Sequence, residues 1–180
     1  MVSKMELEVE IPEEVDVNIE NDAITIHGKR GSVTKRLPFD VKIEKKDNKI
    51  IIHTGSKGRR GKAILGTTKG ELKNMIKGVT EGITYKLRIL YSHFPMNVKV
   101  QGDTVIIENF LGERHPRKSK ILENVKVDIK GHEVIVTGID KEMVAQTAAN
   151  LEQATRIKNL DPRVFQDGIY IIEKDGKPIV

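Results

Sequence analysis

The 180-residue sequence contains no cysteine, no tryptophan and only seven aromatic residues. The absence of cysteine excludes a disulfide framework and any metal site built from thiolate ligands. The five histidines lack the HxxxH or HExxH spacing of a local zinc site, although distant ligands could still converge. No spacing indicates a Ser/His/Asp, Cys/His or paired-carboxylate arrangement. The sequence therefore predicts no catalytic residues and no bound metal or cofactor.

Long apolar runs are also absent. No segment approaches the run of about 18 apolar residues that a membrane-spanning helix requires. The N-terminus alternates glutamate with apolar residues and lacks the basic and then apolar stretches of a secretory signal. We expect a cytoplasmic protein with no membrane partner.

The charge is positive overall and unevenly distributed. The formal net charge is +5, but residues 1–20 carry seven acidic side chains and one basic one. That segment has a net charge of −6, so the rest of the chain carries +11. Such a basic excess favours a polyanionic partner, but it does not by itself distinguish RNA from an anionic membrane.

The chain contains an internal repeat. Apolar, turn and glycine positions recur at offsets of 81 to 84 residues, and the offset changes only between predicted strands. The matched segments are 7–12 with 90–95, 17–31 with 98–112, and 41–52 with 125–136. Because insertions between strands are absorbed by hairpin loops, this pattern indicates duplication of one structural unit.

Alternating apolar and polar residues predict the same strands in both copies. Asn21-Asp22 and Gly102-Asp103 each separate two such runs, as the turn of a hairpin does. A further alternating run, 83–91, begins the second copy, and 169–172 predicts a short strand in the tail. The remaining predicted strands are 17–19, 24–26, 41–43, 50–52, 98–100, 105–107, 125–129 and 134–136.

Each copy closes with a predicted helix. Apolar residues at helical spacing form one face in each; they are Leu65, Leu72, Met75, Ile76 and Val79, then Val144, Ala148, Leu151 and Thr155. Asp140 is the expected N-cap of the second helix. The sequence thus predicts an α+β fold of two duplicated modules, each a small antiparallel sheet with one packed helix. The first module is residues 1–82, and the second, residues 83–180, includes a C-terminal tail. Modules this small leave little room for a catalytic cavity.

A basic segment, 55–62, follows a predicted strand and precedes the first helix. Gly55 and Gly61 are separated by five residues instead of the four of a nucleotide-binding P-loop, and Ala63 replaces its hydroxyl residue. The GxxG at 58–61 follows a strand, whereas the corresponding loop of KH domains lies between two helices. Its cations remain candidates for binding RNA phosphates; they are Lys57, Arg59, Arg60 and Lys62.

A second basic segment, 112–120, is predicted to be a hairpin loop in the second module. Further cations lie at the end of the second helix and at the start of the tail. Because so few aromatics are present, we expect recognition of RNA phosphates and shape rather than base stacking as the main mode. The primary RNA-binding candidates are Arg114, Arg117, Lys118, Lys120, Arg156, Lys158 and Arg163.

Several motifs resemble one known family, the sixth protein of the large ribosomal subunit. The segment GTTKGELKNMIKGVTEG (66–82) is similar to the family's first helix and domain junction. YSHFP (91–95), NFLGE (109–113) and QATRIKNLDPRVFQDGIYIIEK (153–174) resemble its archaeal and eukaryotic branch. Leu160 departs from the pattern, because a basic residue is expected at that position.

The resemblance implies a structural protein of the large ribosomal subunit, located in the cytoplasm, that binds large-subunit rRNA near the factor-binding centre and the sarcin–ricin region. It implies contact with neighbouring large-subunit proteins, and it makes the second module the main RNA binder. It implies no catalysis, no cofactor and no small-molecule substrate. Two other hypotheses remain open: an enzyme that binds a nucleotide at 55–62, and an RNA-binding or adaptor protein outside the ribosome.

Overall fold

The computed structural model describes residues 5–20 and 22–179. The chain divides into two compact units on either side of the bond between Gly82 and Ile83. Within the described ranges, no helix is both long enough and apolar enough to cross a membrane.

The first module consists of two three-stranded antiparallel sheets and one helix. The sheets have the strand orders β1-β6-β5 and β2-β3-β4, and α1 packs against strands of both. The elements are β1 (Met5–Glu10), β2 (Asp16–Glu20), β3 (Ala23–Gly28), β4 (Gly31–Arg36), β5 (Val41–Lys46), β6 (Lys49–Thr54) and α1 (Gly58–Thr80).

The period of two in the sequence decides which face of each strand is buried. In β6, Ile50 and Ile52 are fully buried, and Lys49 on the other face is exposed. The helix contributes a matching stripe, because Leu72 and Val79 are about two helical turns apart and both buried. Burial of these aliphatic side chains, each worth about 1.5–3 kcal/mol, holds the helix on the sheets.

The second module repeats this arrangement and extends it. Its sheets have the orders β10-β9-β8 and β11-β12-β7-β13-β14, and α2 packs on β7, β10, β12 and β13. The elements are β7 (Ile83–Leu90), β8 (Asn97–Gln101), β9 (Thr104–Glu108), β10 (Arg117–Lys120), β11 (Val125–Lys130), β12 (Glu133–Gly138), α2 (Lys141–Ala154), β13 (Gly168–Lys174) and β14 (Lys177–Pro178).

The predicted duplication is confirmed in the strand connections. The order β1-β6-β5 recurs as β7-β12-β11, and β2-β3-β4 recurs as β8-β9-β10. Each module, however, contains two small sheets rather than the single sheet that was predicted. The tail supplies the main difference, because β13 pairs with the outer edge of β7 and extends the second sheet.

The predicted strands and both helices are present, with three differences in detail. The run 83–91 forms a strand that ends at Leu90, and α2 ends before Thr155, which is buried beyond it. Asp140 caps α2 as expected, by accepting a hydrogen bond from the Glu142 N–H. Four strands, β1, β4, β10 and β14, were not predicted. Asn21 of the first predicted turn lies outside the described residues.

Gly28 marks a close approach between the β3–β4 hairpin and the end of α1. A Cβ at this position would lie 2.7 Å from both the carbonyl oxygen and Cγ2 of Val79. That carbonyl also accepts a hydrogen bond from the Arg30 N–H, so the backbone cannot yield without breaking this bond. We expect Gly28→Ala to lower the free energy of unfolding by about 1–3 kcal/mol in a urea titration.

Gly66 provides the matched control for this prediction. It lies within α1, and a Cβ there would meet no atom within 4 Å. Gly66→Ala should therefore stabilise the protein by roughly 0.5–1 kcal/mol through helix propensity alone. If both substitutions changed the free energy of unfolding in the same direction, packing against Val79 would not explain the role of Gly28.

Candidate nucleic-acid interface

The basic segment 112–120 is only partly a loop. Arg117–Lys120 forms β10, which pairs along its length with β9, so the predicted long hairpin loop is wrong. The loop that remains begins with a 3₁₀ turn, Phe110–Gly112, whose Phe110 side chain is buried. Asn109, in a left-handed conformation, donates from Nδ2 to the Pro95 carbonyl at 3.0 Å. The NFLGE motif is therefore in direct contact with the YSHFP motif.

Arg117 connects this loop to the end of α2. Its Nε and Nη2 atoms donate to the two carboxylate oxygens of Glu113 at 2.8 and 2.6 Å. Its Nη1 donates to the carbonyl oxygens of Ala154 and Arg156 at 2.9 and 3.1 Å. The guanidinium also lies 4.2 Å from the ring centroid of Phe110, which is cation–π distance.

These contacts give Arg117 a role that the sequence did not indicate. A guanidinium has five N–H donors, and the protein itself accepts from four of those of Arg117. Little capacity is left for a phosphate, although Arg117 was among the predicted RNA contacts. Instead it joins Glu113, the chain neighbour of Arg114, to the carbonyl of Arg156. The side chains of Arg114, Arg156 and Lys158 are all exposed. We call the exposed group Arg114, Arg156 and Lys158 the basic cluster.

Lys118 and Lys120 lie on a different face. Along β10, Ser119 is buried and Arg117 reaches the end of α2, whereas Lys118 and Lys120 alternate with them and are exposed. The structure therefore separates these two lysines from the basic cluster. Both remain candidate RNA contacts, on the face of β10 that points away from α2.

The tail is held on the second module by a buried carboxylate. Asp167 accepts from the backbone N–H groups of Ser92 and His93 at 3.2 and 3.3 Å. The Ser92 hydroxyl and His93 Nδ1 also lie 3.0 Å from its Oδ1 atom. The His93 ring stacks on Phe165 at 4.7 Å. These contacts fix the turn that carries Arg163, whose side chain is exposed.

Ser92, His93 and Asp167 do not form a catalytic triad. A triad needs the carboxylate on one imidazole nitrogen and the hydroxyl on the other. Here both oxygens approach the same nitrogen, Nδ1, so the serine hydroxyl is not placed at Nε2, the nitrogen that would accept its proton. Among the residues that the structure describes, no group of three or more His, Cys, Asp or Glu side chains could hold a metal ion.

The pKa of Asp167 makes this contact sensitive to acid. Burial alone would raise the pKa, but hydrogen bonds from His93 and Ser92 outweigh it and leave the pKa below its ordinary value. Asp167 therefore stabilises the fold above the pKa of an unfolded aspartate, about 3.9, and this stability is lost as the pH falls through the lower folded value. Asp167→Ala should cost about 2 kcal/mol at pH 7 and much less at pH 2 in urea titrations.

Asp128, a half-exposed residue of β11, provides the control for this measurement. Its nearest cation is Lys126 at 3.4 Å, and both side chains are open to solvent. Asp128→Ala should change the unfolding free energy by less than about 1 kcal/mol at either pH. If Asp167→Ala lowered the free energy of unfolding by the same amount at pH 7 and at pH 2, packing rather than the charged hydrogen bonds would be responsible.

The first-module segment 55–62 is also more ordered than predicted. The helix α1 begins at Gly58, so Arg59, Arg60 and Lys62 lie in its first turns and not in a loop. All three and Lys57 are exposed, and Arg60 lies 3.7 Å from Asp40. No acidic residue lies in this first turn, although the N-terminal end of a helix favours negative charge. The four cations thus form an exposed basic surface in which Asp40 partly neutralises Arg60.

Three acidic residues near the N-terminus lie close to basic side chains of the first module. Glu6 lies 3.1 Å from His53, Glu8 lies 2.9 Å from Lys49, and Glu14 lies 2.7 Å from Lys29. The hydrogen bond from Lys49 lowers the pKa of Glu8 below its ordinary value. The acidic stretch is therefore a partly compensated surface of the sheet.

Comparison with known proteins identifies the family. The protein-family model described as "Ribosomal protein L6" matches residues 11–82 and 94–168, one segment in each module.

Three relatives carry the name large ribosomal subunit protein uL6. The protein from Methanobrevibacter smithii is 51% identical over 93% of this chain and 95% of its own length. That from Methanosarcina mazei is 47% identical over 97% and 99%. That from Archaeoglobus fulgidus is 49% identical over 92% and 88%. The chain belongs to the ribosomal protein L6 family, in agreement with the resemblance in its motifs.

Proposed function

We propose that this chain is a structural component of the large ribosomal subunit and that its second module is the main contact with large-subunit rRNA. Members of the family are structural proteins, and the chain is not an enzyme. One observation supports the RNA contact most strongly. Arg117 joins the loop of Glu113 and Arg114 to the Arg156 carbonyl, 39 residues further along the chain, at the end of α2.

The physical basis is preorganisation of cations for phosphate. Each phosphate contact by a Lys or Arg releases condensed counterions, which is favourable at low salt. The cluster residues are exposed, so their desolvation cost is small. Arg117 binds the Arg156 carbonyl and the side chain of Glu113 next to Arg114, which reduces the backbone entropy lost when RNA binds. Arg163 belongs to the same proposed surface, on the turn that Asp167 holds.

The finer part of the proposal concerns location. The resemblance implies a position near the factor-binding centre and the sarcin–ricin region, in contact with neighbouring large-subunit proteins. Exposed apolar side chains lie near the basic surface and suit such contacts; they are Tyr91, Phe94, Leu160 and Val164. The first-module cations Lys57, Arg59, Arg60 and Lys62 form a secondary RNA contact.

Sedimentation with large subunits tests the assignment. The intact protein should co-sediment with large subunits and lose this association after nuclease treatment. In hydroxyl-radical footprinting, the bound protein should protect the sarcin–ricin region of the rRNA from cleavage. Protection of a different region of the rRNA would overturn the proposed location but not the proposed RNA contact. Binding that is insensitive to both salt and nuclease would overturn the RNA contact and support a protein adaptor.

A further inference from the structure

Phe39 lies entirely on the surface, in the turn between β4 and β5. Its side chain is as exposed as in an isolated peptide, with a relative exposure of 103%. Among the described residues of the first module it is the only large apolar side chain classed as exposed. It does not take part in the core of the module.

The internal repeat shows that this turn does not require a phenylalanine. In the first module Leu37 N–H donates to the Asp22 carbonyl at 2.7 Å, and Val41 N–H donates to the Pro38 carbonyl at 2.9 Å. The second module repeats both bonds, from Ile121 to Asp103 at 2.8 Å and from Val125 to Leu122 at 3.3 Å. The residue that corresponds to Phe39 is Glu123, which is exposed. The same turn therefore forms with a charged side chain at its tip.

The surroundings of Phe39 are charged rather than apolar. Its neighbour Asp40 accepts from the Ser56 hydroxyl at 3.0 Å, lies 3.7 Å from Arg60, and receives the Gly55 N–H on its carbonyl at 3.4 Å. These contacts hold residue 40, the chain neighbour of Phe39, against the segment 55–60 that contains the exposed Lys57 and the start of α1. A protein partner would be expected to meet a wider apolar patch, which is missing among the described residues here. A flat aromatic ring next to cations suits a nucleotide, whose base stacks while its phosphate pairs with a cation.

We propose that Phe39 stacks on an unpaired base of RNA whose backbone phosphates contact Lys57 and Arg59. The proposal rests on the proposed function, because it assumes that the partner is RNA. Such stacking would make the first module selective for unpaired RNA, since bases inside a double helix have no free face on which a ring can stack. The sequence had predicted phosphate contact as the main mode, and this single ring supplements it at one position.

The absence of tryptophan elsewhere makes a direct test possible. Phe39→Trp would introduce the only tryptophan of the chain, and stacking on a base quenches indole emission. Titration of the intact variant with single-stranded oligoadenylate should quench this emission, and a fully paired RNA duplex of equal length should not. Oligoadenylate binding, shown by anisotropy of a labelled strand, without any quenching would overturn the proposal. Equal quenching by the duplex would overturn it too.

Substitutions at the same position provide a second measurement. Phe39→Ala should weaken oligoadenylate binding by about 5- to 150-fold, the range for loss of one stacked base. The salt dependence should not change, because no charge is removed. Phe39→Leu should lose nearly as much affinity, since it keeps an apolar side chain but no aromatic face. Wild-type affinity in Phe39→Leu would mean a general apolar contact and would overturn stacking.

The control is the equivalent position in the second module. Glu123→Ala should leave oligoadenylate binding unchanged, and thermal unfolding should show that the exposed Phe39 variants remain folded. Suppose that Phe39→Ala binds oligoadenylate as tightly as the wild type, whereas substitutions in the basic cluster weaken rRNA binding. Stacking would then be overturned and the proposed function would stand. If neither set of substitutions affected RNA binding, both proposals would be wrong.

Discussion

Replacing Arg117 with alanine is expected to lower the free energy of unfolding of the intact protein by about 3 kcal/mol. The substitution leaves two carbonyls at the end of α2 without their donor and removes the partner of Glu113. It also uncovers one face of Phe110, on which the guanidinium lies. Since Arg117 holds the pKa of Glu113 below its ordinary value, that pKa should rise in the variant. Urea titration and NMR titration of the Glu113 carboxyl measure the two effects.

Glu113→Gln separates this structural role of Arg117 from a direct RNA contact. If Arg117 positions the loop, losing the carboxylate should weaken the fold by about 1 kcal/mol and should not improve rRNA binding. If Arg117 instead contacts phosphate, the same substitution would release it from a competing anion, and rRNA affinity would increase. Arg117→Lys is the conservative control, because a lysine keeps the charge but cannot bind the carboxylate and both carbonyls in the same geometry. An increased affinity in Glu113→Gln would contradict the structural role.

The repeat and most of the fold could be predicted because they depend on local patterns. Alternation places Ile24 and Ile26 on one face of β3, and the same alternation places Val105 and Ile107 on one face of β9. Of the four strands that escaped prediction, β4 and β10 carry little such signal. β10 reads Arg-Lys-Ser-Lys, and its strand conformation follows from pairing with β9 rather than from its own composition. The division of each module into two sheets likewise depends on pairings that a single strand does not encode.

The candidate interface could be predicted only in its charges. Sequence reasoning selected cations by their clustering, and in the structure Arg117 joins Glu113, the chain neighbour of Arg114, to the Arg156 carbonyl. Sequence reasoning could not distinguish Arg117 from its exposed neighbours, because the carbonyls that Arg117 binds lie 37 and 39 residues further along the chain. Asp167 was missed for the same reason, because its partners Ser92 and His93 are 74 to 75 residues away. The motifs YSHFP and FQDG carried the only available signal, since they occur together in the family that the sequence resembles.

Removing the three charges of the basic cluster should have the largest effect on RNA binding. We expect the triple variant Arg114→Gln, Arg156→Gln and Lys158→Gln to bind a large-subunit rRNA fragment about 100-fold more weakly at 0.1 M salt. The slope of log affinity against log salt should fall by roughly 2 to 3, because each phosphate contact contributes about 0.7–0.9. All three side chains are exposed, so the fold should be preserved. Titrations of the intact protein at several salt concentrations give both quantities.

A second triple variant removes the same number of charges from the other end of the second module. Lys126 lies near the start of β11, and Lys174 and Lys177 lie at the β13–β14 hairpin, where β13 pairs with the start of β7. The basic cluster lies beside the C-terminal end of α2, whose 14 residues span about 20 Å, more than twice the screening length of about 8 Å at physiological salt. Glutamine at these three lysines should therefore leave both affinity and slope nearly unchanged. Equal losses in the two triple variants would mean that RNA responds to the net charge of the module, and the basic cluster would then have no special role. A loss confined to the first variant is expected, because the hydrogen bonds of Arg117 join the two segments that carry the basic cluster before RNA binds.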